Sequence, residues 1–362
     1  MKAAVMRAFK TPLEIEDIDI SRPGPREVLM RTVATGVCHS DLHVLEAGLP
    51  VPPPLVLGHE PAGIVEAVGE LVTHVQPGDH VIGCLSAFCG SCEYCLTGRP
   101  NMCGGAATMR RPGEPPRLSK GGAAINQFAH LSSFAEKMLV HENAVVKIRK
   151  DMPLDRAALI GCGVTTGVGA VLNTAQVPAG STCVVIGCGG VGLAAIQGCR
   201  IAGASRIIAV DTMAWKLELA KTLGATDGVN AKESDAVMQV QSLVPGGVDY
   251  AFECIGTKQT AAQTVAMIRK GGTAVWVGIV PIGQTIEIPG LDVVISAKKI
   301  IGSMMGDNRF RVDMPRYVDF YLSGQLKLDE MISARLKLDQ VNHAFDEMRK
   351  GTAARSVIVF DA

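Results

Sequence analysis

The sequence predicts a mainly-β domain followed by an α/β domain built on a doubly wound parallel sheet. Three observations predict it. Short apolar runs bounded by Gly, Pro and Asp fill residues 1 to about 150; longer apolar runs alternate with helical spacing beyond Ala157; and a glycine-rich loop joins a strand to a helix at Gly187. A chain of 362 residues is also too long for one ordinary core.

Composition narrows the function classes. Hydrophobic residues make up 48% and charged residues 19%, which is enough apolar surface for sizeable cores. Lys plus Arg equals Asp plus Glu at 35 each, so the net charge is zero. A nucleic-acid partner needs a basic footprint, and none is visible. The first ten residues lack a long apolar stretch and no run of 18 apolar residues occurs, so neither a signal peptide nor a membrane span is expected. The eleven cysteines of such a chain, an odd number expected in the cytoplasm, point to metal or redox chemistry rather than a disulfide framework.

The elements follow in order. Val28 to Met30, Gly63 to Val65 and His80 to Ile82 read as strands, with turns at Arg22 to Pro25, Pro52 to Pro54 and Pro77 to Asp79. Closely spaced strands of this kind suggest a barrel or sandwich. Residues 104 to 126, rich in Gly, Pro and Arg, read as a solvated loop. Asp155 to Leu172 has helical spacing. Thr182 to Ile186 is a continuous apolar run, as in a strand buried on both faces. Val191 to Ala202 is a helix, Ser205 to Val210 a strand, and Trp215 to Leu223 a helix closed by Gly224. Val248 to Cys254, Thr273 to Val277 and Lys299 to Ser303 continue the strands, and Asp313 to Phe360 reads as helix, helix, strand.

Cys89, Cys92, Cys95 and Cys103 form a C-x2-C-x2-C-x7-C ladder. Four thiolates at this spacing wrap one tetrahedral zinc and leave no open position. An iron–sulfur cluster is the alternative, although the bacterial ferredoxin run carries a proline after its last cysteine and here Gly104 follows Cys103. A closed four-thiolate site is structural and not catalytic.

Cys38, His59 and Cys162 are a second set. Two cysteines and one histidine leave a fourth zinc position open, as catalysis requires. With Cys162 at the start of the second domain, the set is expected to span both domains. Spacing alone leaves the alternative open: Cys162 as a small buried residue and His59 as a structural one.

Gly187, Gly189 and Gly192 form G-x-G-x-x-G between an apolar run and a helical one, and Asp211 ends the next apolar run. Gly187 permits a tight turn, Gly189 lets the backbone approach a pyrophosphate, and Gly192 lets helix and strand pack. Asp211 accepts hydrogen bonds from an adenosine ribose and repels a 2′-phosphate, which argues for NAD over NADP.

Taken together, Gly36 to Asp41, Gly58 to Glu60, the cysteine ladder, Gly161 to Gly163 and the glycine loop resemble the zinc-dependent medium-chain alcohol dehydrogenases, in order over essentially the whole chain. The resemblance implies a GroES-like catalytic domain over 1–155 with a structural-zinc lobe near 84–110, a Rossmann domain over 156–303, and a return to the catalytic domain over 304–362. It implies two zinc ions per chain and NAD. Cys38, His59 and Cys162 then hold the catalytic zinc, with Glu60 behind it as a transient ligand and Asp41 orienting His59. The resemblance also implies that Ser40 receives the alcohol proton and passes it, through cofactor ribose hydroxyls, to His43. His39 and Arg355 meet the pyrophosphate, Thr166 the nicotinamide, and Lys216 joins Asp211 at the ribose. Gly190, Val191 and Val277 complete the cofactor contacts.

The segment Gly48 to Pro52 is apolar where relatives that oxidise formaldehyde–glutathione adducts carry acidic groups. A hydrophobic or aromatic alcohol–aldehyde (or ketone) pair is therefore expected, with Ser40 in place of threonine giving room for bulkier or secondary alcohols. A polyol or formaldehyde-adduct dehydrogenase is the enzymatic alternative, and a zinc- and nucleotide-binding sensor the non-enzymatic one. Apolar runs from Ile286 to Ser303 predict a homo-oligomer, with a dimer favoured over a tetramer.

Overall fold

The computed structural model describes residues 1–48, 51–111 and 113–361. Leu49 and Pro50, part of the apolar segment singled out above, lie outside the described residues, as does Pro112. The chain divides into two compact units, Met1–Cys162 with Arg309–Ala362, and Gly163–Asn308.

Among the described residues the first unit holds two mostly antiparallel sheets. One runs in the order Val145–Lys147, His80–Gly83, Glu60–Val68, Glu27–Gly36, Arg355–Val359, Ile332–Leu336, and Lys137–His141 also pairs with Glu27–Gly36. Glu27–Gly36 is its central strand, and its alternation of Val28, Met30, Thr32 and Ala34 as fully buried residues shows why. The other sheet joins Lys2–Met6, Leu55–Val56, Ala123–Gln127 and Leu118–Lys120. The C-terminal segment contains a strand, Ile332–Leu336, that the sequence reading passes over. Its alternating half-buried and exposed residues give only a weak apolar signal.

Residues 104–126 depart from the expected solvated loop. Leu118–Lys120 and Ala123–Gln127 form an antiparallel hairpin, and Arg117 is buried. The physical reason is one acceptor: Glu27, itself buried, receives Arg110 at 2.6 Å and Arg117 at 2.7 Å. Burial alone would raise the Glu27 carboxyl, but the Arg110 and Arg117 guanidiniums and the Gly24 N–H hold it down at about 2.

In the second unit six parallel strands lie in the order Asp227–Asn230, Arg206–Asp211, Thr182–Ile186, Val248–Glu253, Ile268–Trp276, Lys299–Gly302, counted among the described residues. The order reverses between Thr182–Ile186 and Val248–Glu253, and a dinucleotide fold binds its ligand at the carboxyl ends of the strands flanking such a reversal. Strands with both faces covered need continuous apolar sequence, which Cys183 to Ile186 and Ile207 to Val210 supply, all buried.

One stretch, Leu154–Thr174, is long and apolar enough to cross a membrane by length and composition, against the expectation of none, and 83% of its most apolar window is buried inside the fold.

Candidate active site

The helix His39–Leu45 carries four of the expected site residues. Its apolar side, with Leu42, Val44 and Leu45, packs into a core with Leu55, Leu57, Phe134 and Phe345, each such side chain contributing about 2 kcal/mol of burial. Cys38 caps the helix, and Asp41 reaches back to accept the Cys38 N–H at 3.2 Å. The other Asp41 oxygen accepts the Gly58 N–H at 2.9 Å and lies 3.1 Å from His59 Nδ1. Gly58 has φ +90°, and a Cβ there would come within 2.6 Å of the Phe134 N atom, so only glycine delivers His59 to this place. Ser40 and His43 sit three residues apart on the helix, both half-buried, whereas His39 is exposed.

Cys162 lies in a π-helical turn, Ile160–Val164, after the helix Leu154–Leu159. A Cβ on Gly161 would stand 3.2 Å from Glu60 Cα, so the glycine lets this turn close against the strand that carries Glu60. The sulfurs of Cys38 and Cys162, a ring nitrogen of His59 and a carboxylate oxygen of Glu60 lie within 4.8 Å of one another, and all four residues are buried. All four belong to the first unit, with Cys162 closing its N-terminal segment. The expected division of the set between two domains is corrected accordingly.

The donor set fits zinc. With Asp41 holding the proton on Nδ1, His59 Nε2 is a buried lone-pair nitrogen with no hydrogen-bond partner, and Glu60 Oε1 is likewise unmatched. Burial disfavours positive charge at His59, yet the charges of Asp41 and Cys38 outweigh it, so the surroundings of the ring favour a cation there. A hydrogen bond from Cys162, opposed by burial and aided by His59 and Arg355, pulls Cys38 well below the ordinary thiol value. Such a pocket is suited to thiolate sulfur gathered around a cation.

Behind this set, Glu60 Oε2 forms a buried ion pair with Arg355. Arg355, expected at the pyrophosphate, thus has its guanidinium on Glu60. Sequence reasoning misses Phe128, whose ring meets the His59 imidazole edge-on, centroids 5.4 Å apart at 88°. An aromatic residue in a chain with only 4% aromatics was the one available signal.

The cysteine ladder closes as its spacing predicts. Thiolates about 2.3 Å from a tetrahedral zinc stand about 3.8 Å apart, and here Cys89–Cys95 and Cys92–Cys95 are 3.9 and 3.5 Å. Backbone N–H groups of Ser91 and Cys92 donate to Cys89 Sγ, and those of Cys89 and Gly105 to Cys103 Sγ. The Ser91 N–H and hydroxyl lead in drawing Cys89 down to about 6, while burial and the neighbouring sulfurs push Cys95 up to about 12. A divalent cation relieves that crowding.

In the second unit the strand Thr182–Ile186 runs into Gly187 at φ +95° and then into the helix Gly190–Ile201. A Cβ at Gly192 would overlap the Gly187 carbonyl oxygen, whereas at Gly189 it would meet nothing within 4 Å, leaving open space where a ligand can approach. Asp211 accepts the Cys188 N–H at 2.8 Å and the Met213 N–H at 3.0 Å. Lys216 Nζ lies 5.7 Å from the centroid of the Trp215 ring. Thr166 donates to the Met305 sulfur, and the Val277 N–H to the Glu253 carbonyl. Gly190 and Val191 open the loop's helix, half-exposed.

Residues 24–150 match the alcohol dehydrogenase GroES-like domain and residues 190–323 the zinc-binding dehydrogenase domain. A class-3 alcohol dehydrogenase of Drosophila melanogaster is 42% identical over 99% of this chain and 97% of its own. The chain belongs to the zinc-dependent alcohol dehydrogenase family. It has that family's GroES-like and Rossmann folds and is an oxidoreductase acting on an alcohol. Two solved structures resemble it closely. An alcohol dehydrogenase zinc-binding domain protein from Burkholderia ambifaria has TM-score 0.95 at 36% identity, covering 100% of this chain and 99% of the other. A benzyl alcohol dehydrogenase from Acinetobacter calcoaceticus has TM-score 0.94 at 36% identity, covering 99% of both.

Proposed function

We propose that this alcohol dehydrogenase oxidises a hydrophobic or aromatic alcohol to its carbonyl compound with NAD, at Cys38, His59 and Cys162. The observation that carries the reading is the buried set of four ligand atoms in which His59 Nε2 has no partner. When bound there, zinc lowers the pKa of a coordinated hydroxyl, and NAD accepts the hydride.

The chain's own residues do the rest. Cys38, His59 and Cys162 hold the ion, and Asp41 fixes the His59 tautomer that leaves Nε2 free to ligate. Glu60 stands behind them, able to ligate transiently. The Ser40 hydroxyl receives the alcohol proton, and His43, one turn further along the same helix, delivers it to solvent. The glycine loop from Gly187 to Gly192 receives the pyrophosphate, and Asp211 and Lys216 the adenosine ribose. Thr166 and Val277 flank the nicotinamide. Cys89, Cys92, Cys95 and Cys103 hold a second, structural zinc.

Three observations support an apolar substrate: the aromatic edge of Phe128 beside His59, the apolar character of Gly48 to Pro52, and the similarity to a benzyl alcohol dehydrogenase. Rates over a panel of benzylic, aliphatic and polyol alcohols, with and without glutathione and formaldehyde, test this. Highest kcat/KM on benzylic alcohols without glutathione is expected, and strict dependence on glutathione contradicts it.

A cytoplasmic location is consistent with six cysteines serving as thiolate donors or open-site ligands. A homo-oligomer is supported in the second unit, where the helix Gly290–Ile295 exposes Leu291, Val294 and Ile295 beside the edge strand Lys299–Gly302. A dimeric mass in solution is expected, reduced to the monomer by Leu291→Asp.

A further inference from the structure

A cavity of about 700 Å³ lies in the first unit, lined by residues that the proposed reaction does not use. Its size is that of a small-metabolite site, about 300–1,000 Å³. Arg22, Arg110, Arg111 and Arg117 line it against two carboxylates, Glu27 and Glu114. Arg26, also in the lining, is paired with Glu142 at 2.7 Å and is set aside.

The floor of this cavity is cross-linked by hydrogen bonds. Arg110 reaches Glu27, the Arg22 carbonyl and the Pro115 carbonyl, and buried Arg117 reaches Glu27 and the Thr108 carbonyl. One carboxylate thus serves two guanidiniums, so a positive charge is left over. His141 completes the floor. Its Nδ1 accepts the Asn143 N–H at 3.0 Å, which leaves Nε2–H as a donor on the neutral ring. At the rim, the exposed guanidiniums of Arg22 and Arg111 have no ion pair or side-chain hydrogen bond among the described residues. Glu114 is engaged by the Arg111 N–H at 2.7 Å.

We propose that this cavity is a second ligand site, separate from the zinc-ligand cluster, that takes a small organic dianion bearing carboxylate or phosphate groups. Four guanidiniums facing two carboxylates leave two positive charges, and a dianion matches them. Arg22 and Arg111 bind it by charge-assisted, bidentate hydrogen bonds over a floor already held in place. The volume exceeds what a lone phosphate fills, so the charged groups sit on a carbon skeleton.

Calorimetric titration of the zinc-loaded, NAD-saturated full chain tests the site, with NAD in excess to keep the pyrophosphate site filled. Succinate and inorganic phosphate serve as separate probes, with sodium chloride matching the ionic strength. Saturable binding of at least one probe is expected, and which one binds separates carboxylate from phosphate ligands. The Arg22→Ala/Arg111→Ala variant should bind at least about tenfold more weakly, because two charge-assisted hydrogen bonds are lost. Its alcohol oxidation rate should be unchanged, which also verifies its fold, and the double lysine variant, which keeps the charge but not the bidentate fork, should bind more weakly than the parent and more tightly than the alanine variant. No saturable binding of either probe, or equal binding by the alanine variant, overturns the proposal.

Discussion

Glu60 and Arg355, 295 positions apart in sequence, meet as a buried ion pair between two strands that flank Glu27–Gly36. Gly36 makes the meeting feasible, since a Cβ there would overlap Glu60 Oε2 and stand 3.0 Å from the Arg355 guanidinium. The pair links the C-terminal strand Arg355–Val359 directly to the residue beside His59, the proposed zinc ligand. Arg355→Met strands a buried carboxylate and should cost about 3–5 kcal/mol in zinc-free protein. The loss should be smaller in the zinc-loaded form, where the ion supplies the missing positive charge. Denaturant unfolding of both forms measures the difference, and an equal loss in both contradicts it.

The Glu27 pair makes a pH prediction. Its folded pKa of about 2 lies below the ordinary carboxylate value, so its contribution is complete above about pH 4.5 and fades as pH falls towards 2. That contribution is about 3 kcal/mol. Glu27→Gln should lower stability at neutral pH and show a flatter acid limb than the parent chain. Parallel limbs from pH 5 to 2 in thermal unfolding would refute the assignment.

Cys92→Ser should separate the two metal centres. Zinc per chain should fall from two to one, and the melting temperature should drop before kcat changes, because a structural zinc contributes folding energy directly. Metal analysis alongside unfolding reads both quantities. Loss of kcat at full stability would place chemistry in the ladder.

Asp211→Ala removes the acceptor of two loop N–H groups as well as the proposed ribose partner. The KM for NAD should rise about tenfold or more, and the preference for NAD over NADP should shrink. Steady-state kinetics with both cofactors decides it. An unchanged preference contradicts the role given to Asp211.

Much of this was legible in the sequence because local chemistry dictated it. The cysteine ladder is a local motif, so its closure followed from spacing. The glycine loop was legible because φ at Gly187 and the crowding at Gly192 both exclude side chains. Cys162 was harder. Its membership depends on how Gly161 lets a π-turn approach Glu60, a tertiary contact with no periodic signature. Phe128 and Arg117 were hidden for the same reason, since their partners His59 and Glu27 are distant in sequence. The strand Ile332–Leu336 lacked a fully buried face to announce it.

The proposed reaction rests on Cys38, His59 and Cys162 as the residues that would hold the catalytic zinc. Cys38→Ser tests it most directly, by NADH absorbance after benzyl alcohol is added, with zinc counted per chain. Two zinc ions per chain and steady NADH formation are expected of the parent chain. The variant should keep its melting profile and its ladder zinc and lose at least about a thousandfold in kcat/KM, or about 4 kcal/mol of transition-state stabilisation. A folded variant that forms NADH at the parent rate would contradict it.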